Sequence, residues 1–177
     1  MEQGILISGT GGQGIVAAGE FLSEALFRAG YEVVNTRSYG SEARGGRCRS
    51  EVLVSDGEIY DLQLEEANVL IIMSVPAYRR YIHRARRNGL VLVDMDVVSK
   101  LVEGEKRDDV QMVTVPSAEV AAGLGNPIVA NMVLLGALAK LSGLLTLDGL
   151  KDVVKALMRP SMQEINLKAV EAGYASV

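Results

Sequence analysis

Gly4-Ile5-Leu6-Ile7-Ser8-Gly9-Thr10-Gly11-Gly12-Gln13-Gly14, near the start of the chain, decides the fold. Gly4–Ser8 is a short apolar run that stops at glycines, as a strand buried in a parallel sheet does. From Ile15 onward, Ile15, Ala18, Leu22, Ala25, Leu26 and Ala29 recur at three- and four-residue spacing. That period predicts a helix with one apolar stripe, closed by Gly30. Tyr31–Thr36 reads as the next strand. These residues form a βαβ unit with its glycines at the strand-to-helix junction.

Outward from that unit, a polar, glycine-rich loop covers Arg37–Gly46, and Arg47–Ser55 alternates as a strand does. Asp56-Gly57 predicts a hairpin turn into Glu58-Ile59-Tyr60. Val69–Ser74 is a continuous apolar strand, Pro76 opens a helix, and Asn88-Gly89 closes it. Leu90–Asp94 and Val110–Val115 are further strands. Helices are expected near Ser117–Ala122, Val129–Leu141, Leu147–Met158 and Met162–Ala172. The expected fold is α/β, in three layers: a mostly parallel sheet with helices on both faces, a Rossmann-like start and a helical C-terminal third. No linker, repeat or low-complexity tract divides residues 1–177, so one domain is expected.

The chain has 177 residues, 49% of them apolar and 23% charged, which fits a globular domain and excludes a disordered one. A net charge of −4 argues against a nucleic-acid binder that relies on overall positive charge. Cys48 and His83 are the only residues of their types. A disulfide framework, a Cys-ligated zinc, a His-rich metal centre and an iron–sulfur cluster held by this chain alone are therefore excluded. The most apolar stretch, Ile128–Leu141, contains Asn131 and Lys140 and falls short of a spanning helix of roughly 20 residues. Met1-Glu2-Gln3-Gly4 lacks the basic start of a signal peptide, and a cytoplasmic setting is expected.

Gly9-x-Gly11-x-x-Gly14 lies where a backbone can approach a pyrophosphate or another anion, which the helix N-terminus attracts. A dinucleotide site also needs an acid about 20 residues further on, at the end of the second strand. Val34-Asn35-Thr36-Arg37 has none, so NAD is disfavoured. A tight turn that only packs helix on strand, an anion or nucleotide-fragment site, and an interface remain open. The second loop, Ser38-Tyr39-Gly40-Ser41-Glu42-Ala43-Arg44-Gly45-Gly46, places an aromatic, an acid, an arginine and glycines together. Following the second strand, it belongs beside the first turn, at the carboxyl ends of the strands, where open α/β sheets bind ligands and partners.

Together the two loops resemble the gamma subunit of 2-oxoacid:ferredoxin oxidoreductases, with Gly9-Thr10-Gly11-Gly12-Gln13-Gly14 and Ser38-Tyr39-Gly40-x-Glu42-x-Arg44-Gly45-Gly46 carrying the likeness. Asn131 with Gly136-Ala137-Leu138, and Asn166 with Gly173, look like the family's C-terminal pattern. Ser41 and Ala43 depart from residues that many members carry. The resemblance implies a hetero-oligomer, most closely the 2-oxoglutarate enzyme. It would oxidatively decarboxylate a 2-oxoacid with coenzyme A to acyl-CoA, carbon dioxide and reduced ferredoxin. The pyruvate, branched-chain ketoacid and indolepyruvate enzymes are the nearest alternatives, and a free-standing nucleotide-binding protein or a pure assembly scaffold the rivals.

It further implies alpha and beta partner subunits, with a ferredoxin-like delta subunit in some complexes, and contact with ferredoxin only indirectly. Thiamine diphosphate, magnesium and iron–sulfur clusters would lie on or with those subunits. No catalytic residue and no metal ligand is expected in this chain. Gly9–Gly14 would be the anion-approach element on the coenzyme A path. Ser38, Tyr39, Gly40, Glu42, Arg44, Gly45, Gly46 and Asn131 would face the interface or the active site.

Three other features have plain readings. Tyr78–Arg87 carries five arginines on one expected helix, either a solvated face or a dock for an acidic partner or coenzyme A phosphates. His83 shares that face with no carboxylate near in sequence to orient it. Cys48 reads as a small buried hydrophobe, with a reactive thiol between Arg47 and Arg49 as the alternative. Asp94 and Asp96 read as a helix cap and a surface charge rather than a magnesium site.

Overall fold

The computed structural model describes residues 1–39 and 47–177. The elements are β1 (Glu2–Thr10), α1 (Ile15–Arg28), β2 (Glu32–Tyr39), β3 (Arg47–Ser55), β4 (Ala67–Ile72), α2 (Val75–Tyr81), β5 (Ala85–Asp94), α3 (Met95–Ser99), β6 (Gln111–Val115), α4 (Ser117–Gly123), α5 (Ala130–Ser142), α6 (Leu147–Leu157) and α7 (Pro160–Ala175). The strands form one sheet in the order β2-β3-β1-β4-β5-β6. β1, β4, β5 and β6 run parallel, while β3 is antiparallel to both its neighbours. The sheet is therefore mixed, with the expected layers and the expected helical end.

The two-residue period of a strand sorts the sheet's side chains into two cores. Ile5, Ile7, Val52, Val54, Val69, Ile71 and Leu92 point to one face, where α1, α5, α6 and α7 cover them. Leu6, Leu53, Leu70, Ile72, Val91 and Val93 point to the other, against Ala77, Tyr78 and Tyr81 of α2 and Val97 of α3. Every residue from Ala130 to Ala139 is buried, so α5 is apolar all round because the sheet and its neighbouring helices enclose it. Its packing on α7 leaves no room for side chains at two points. A Cβ on Gly136 would lie 2.0 Å from the Val170 carbonyl oxygen, and one on Gly173 would lie 1.8 Å from that of Val133. No described helix is long and apolar enough to cross a membrane.

Three expectations are corrected. β1 and β2 do not pair: β3 lies between them, with Ile5 opposite Val52 and Val34 opposite Leu53. Val52, Leu53 and Val54 are all buried, and that double-sided burial drives β3 to the interior and leaves β2 at the edge. The hairpin at Asp56-Gly57 does not form, because β1 and β2 already occupy both sides of β3. Residues 58–60 pair with no strand, and Tyr60 is exposed. The five arginines do not share a helix. α2 stops at Tyr81, one 3-10 turn covers Ile82–Arg84, and the chain extends at Ala85 to meet Ala67 of β4. Asn88-Gly89, a helix end by sequence, is instead a corner within β5.

Candidate functional site

The glycine turn lies where β1 meets α1, at the carboxyl end of the parallel strands. Gln13 organises it. Its Oε1 accepts from the Thr10 N–H (2.8 Å), and its Nε2 donates to the Met73 carbonyl just past β4 (2.9 Å). The turn is thereby tied to two adjacent strands. Because the Gln13 amide folds back over Gly9, a Cβ there would lie 2.4 Å from Oε1. Gly11 and Gly12 are exposed. Gly14 takes the left-handed conformation (φ 70°) and begins α1 with no side-chain cap and no acid in the first turn. The start of a fourteen-residue helix, with the positive end of its dipole, thus lies beside exposed glycines, an arrangement suited to an anion.

Asn131, more than a hundred residues away in sequence, closes the back of this turn. Its Nδ2 donates to the Gly14 carbonyl (3.0 Å), which also accepts the Ala18 N–H (2.9 Å). A Cβ on Gly14 would lie 2.6 Å from that Nδ2. Asn131 is 6% exposed, and its Oδ1 is buried with no hydrogen-bond partner among the described residues. An acceptor left without any partner typically costs about 1–3 kcal/mol.

Cys48 joins the same corner. It is paired with Gly9 across β1 and β3, and the Val16 N–H of α1 points at its sulfur. Burial pushes the thiol above its ordinary pKa and outweighs that amide, which acts in the opposite direction. Cys48 is half-buried and packs against the main core, which fits a small hydrophobe better than a reactive thiol.

Next to the turn a cavity of about 470 Å³ opens between the ends of β4 and β5, lined by Gln13, Met73, Ser74, Asp94 and Lys100 among others. Asp94 is buried and fully engaged. One carboxylate oxygen accepts from the Asp96 N–H (2.9 Å), and the other accepts from the Ser117 hydroxyl and the Ala118 N–H. It caps α3 and ties it to α4, while Asp96 is exposed, as expected of a cap and a surface charge. Among the described residues no cluster of three acidic, His or Cys side chains could hold a metal. Ser74 and Lys100 escaped the sequence reading. The signal for Ser74 was present, since a serine two residues before Pro76 is a helix cap, and its Oγ accepts the Ala77 N–H (3.2 Å).

Of the second loop, Ser38 and Tyr39 belong to β2, which runs two residues further into the expected loop than Arg37. Ser38 pairs with Arg49 and Tyr39 with Cys48, and Thr10 of β1 pairs with Arg47. Both stems therefore stand at the same end of the sheet as the glycine turn. Gly40, Glu42, Arg44, Gly45 and Gly46 lie outside the described residues. Arg37 pairs with Glu20 (2.8 Å).

Comparisons with known proteins identify the family and the fold. The chain is 38% identical over 176 residues to the 2-oxoglutarate synthase subunit KorC of Methanothermobacter thermautotrophicus, covering 96% of this chain and 92% of the relative. The crystal structure of the keto/oxoacid ferredoxin oxidoreductase gamma subunit from Geobacter sulfurreducens superposes with a TM-score of 0.86 at 31% identity, covering 99% of this chain and 96% of that one. The 2-oxoglutarate:ferredoxin oxidoreductase of Magnetococcus marinus, solved with 2-oxoglutarate, coenzyme A and succinyl-CoA bound, gives a TM-score of 0.87 at 25% identity over 98% of this chain and 30% of that longer one. The model of the family described as pyruvate ferredoxin/flavodoxin oxidoreductase matches residues 4–176, the whole sheet and every helix but for terminal residues, and the chain belongs to that family.

Proposed function

We infer that this chain is the gamma subunit of a 2-oxoglutarate:ferredoxin oxidoreductase, acting in the cytoplasm as one domain over residues 1–177. The observation that carries this reading is the 38% identity to a 2-oxoglutarate synthase subunit across nearly the full length of both chains. The complex would decarboxylate the 2-oxoacid oxidatively in the presence of coenzyme A, releasing acyl-CoA and carbon dioxide and reducing ferredoxin. Thiamine diphosphate with magnesium would supply the electron sink for decarboxylation, and iron–sulfur clusters the electron path, on alpha, beta and delta partners. One cysteine cannot anchor a cluster, so this chain's part is to bind and to shape.

The turn Gly9–Gly14, exposed at Gly11 and Gly12, offers backbone N–H donors at a helix start with no acid in its first turn, which fits the phosphates of coenzyme A. Gln13 and Asn131 hold that turn in place from two sides. The stems of the second loop rise beside it, so Ser38, Tyr39, Gly40, Glu42, Arg44, Gly45 and Gly46 would meet the neighbouring subunits there.

The test is reconstitution. The chain, co-expressed with thiamine-binding and cluster-bearing partner chains, should support ferredoxin reduction with 2-oxoglutarate and coenzyme A. The same complex should prefer 2-oxoglutarate to pyruvate, 2-oxoisovalerate and indolepyruvate. Preference for one of those three would move the chain to that branch of the family. Turnover by the isolated chain, or a redox group retained on it, would overturn the assignment.

A further inference from the structure

At the opposite end of the sheet the chain builds a second feature. β5 pairs with β4 at Ala85↔Ala67 and again at Leu90↔Val69, so four residues on one strand lie opposite the single Asn68 on the other. Arg86-Arg87-Asn88-Gly89 bulges out between those pairs. The bulge is held firmly. Asn88 adopts a left-handed conformation (φ 61°) and donates its N–H to the Asp109 carbonyl (2.7 Å). Gly89 has no room for a Cβ, which would lie 2.8 Å from the Arg86 carbonyl oxygen and 3.0 Å from that of Asn68. Arg107, chelated by Asp109, donates to the carbonyls of Ile82 (3.0 Å) and Ala85 (2.7 Å) at the bulge's base.

This scaffold displays Arg86 and Arg87 on a cleft of about 300 Å³, whose lining also includes Gln3, Asn68, Gln111 and Leu141. Both arginines are exposed, and neither has a carboxylate within 4.0 Å among the described residues. Arg79 pairs with Glu105 (2.6 Å) and Arg84 with Glu51 (2.7 Å), whereas Arg80 is exposed and, among the described residues, unpaired like Arg86 and Arg87 but lies outside the cleft. In a chain of net charge −4, this bulge places side by side two guanidinium groups with no carboxylate partner among the described residues, where they attract an anionic group.

We propose that the Arg86–Gly89 cleft docks an acidic segment of a partner subunit, whose carboxylates seat on Arg86 and Arg87 beside the half-exposed Leu141. A protein segment fits better than a free phosphate. The Asn88 N–H and the Gly4 N–H are already donated, to the Asp109 carbonyl and to Asn68 Oδ1 (2.9 Å), which removes two backbone donors from any phosphate cradle. What remains is guanidinium and amide donors, which suit a carboxylate and a phosphate alike, and an apolar wall that only a segment carrying a neighbouring side chain would use. The cleft lies about 23 Å from the glycine turn, the rise of seven residues of β1 at about 3.3 Å each. A partner held there leaves the turn open. The inference rests on the subunit reading above.

Two measurements test it. A fluorescein-labelled peptide of alternating Glu and Leu should bind the full-length chain, and its Gln/Leu twin should not. Binding should weaken as salt rises from about 50 to 500 mM. R86Q/R87Q should weaken it about tenfold, R86K/R87K should recover part of the loss, and R80Q, outside the cleft, should change nothing. Equal binding of the Gln twin, or displacement by inorganic phosphate at lower concentration than by unlabelled peptide, overturns the proposal.

In co-expression, R86E/R87E should lose at least about tenfold in affinity for the partner chains while keeping the wild-type thermal midpoint. If wild type and R86E/R87E assemble equally well, the cleft is not the dock and the subunit reading stands. If wild type recruits no partner chain at all, the subunit reading falls and the docking proposal falls with it.

Discussion

The two ends of the sheet each carry a glycine-bearing corner, and they are built on opposite principles. At the carboxyl end, Gly9–Gly14 presents exposed glycines and the bare start of α1, held from behind by uncharged amides, Gln13 and Asn131. At the amino end, Arg86–Gly89 presents charged side chains, held from behind by the Arg107–Asp109 ion pair. Backbone donors can approach a ligand closely and impose its geometry, whereas guanidinium groups on an exposed bulge reach out and act through charge. One corner suits a ligand that must be positioned, and the other a partner that must be recruited.

The largest way to break this contrast is at Gly14. Gly14→Val forces a β-branched residue to φ 70° and into Asn131, and should destabilise the chain by about 3 kcal/mol, read by denaturant unfolding. At the other corner Gly89→Ala meets three backbone carbonyls without a left-handed penalty, and about 2 kcal/mol is expected from the same measurement. Asn131→Leu separates holding from function. Since its Oδ1 is already unpaired, stability should fall by no more than about 1 kcal/mol, while coenzyme A-dependent activity of the reconstituted complex should drop much further. An equal loss in both would make Asn131 a purely structural residue.

The smallest effect concerns Cys48. Burial raises its thiol pKa, so the neutral form dominates at pH 7 and alkylation by iodoacetamide should be slow there. The rate should climb only at a pH above that of a free cysteine. Fast labelling at neutral pH would mean that the Val16 amide and the helix dipole outweigh desolvation.

Much of the fold was legible locally. Gly4–Ser8, Val69–Ser74 and the three- and four-residue spacing after Ile15 identify their elements because burial imposes its period on the sequence itself. The candidate site was legible in its turn, Gly9–Gly14, but not in its setting. Cys48 at the start of α1, Ser74 and Lys100 beside Gln13, and the Gly14–Asn131 hydrogen bond join residues far apart in sequence. The five arginines show the opposite failure. Their helical spacing was real, yet Ala85 is needed as a strand residue opposite Ala67, and pairing across the sheet overrode local preference.

The sequence by itself determined the alternation of strands and helices, the glycine turn at the first junction, and the lack of any metal or cluster chemistry resting on several Cys or His residues. Those properties depend on near neighbours or on composition. Only the tertiary structure decided that β3 lies between β1 and β2, that Asn131 closes the glycine turn, and that Arg86 and Arg87 stand on a rigid bulge rather than a helix. Each of those outcomes depends on which strand edges are already occupied and on backbone groups that must find partners once buried, and neither constraint is written in any single stretch of chain.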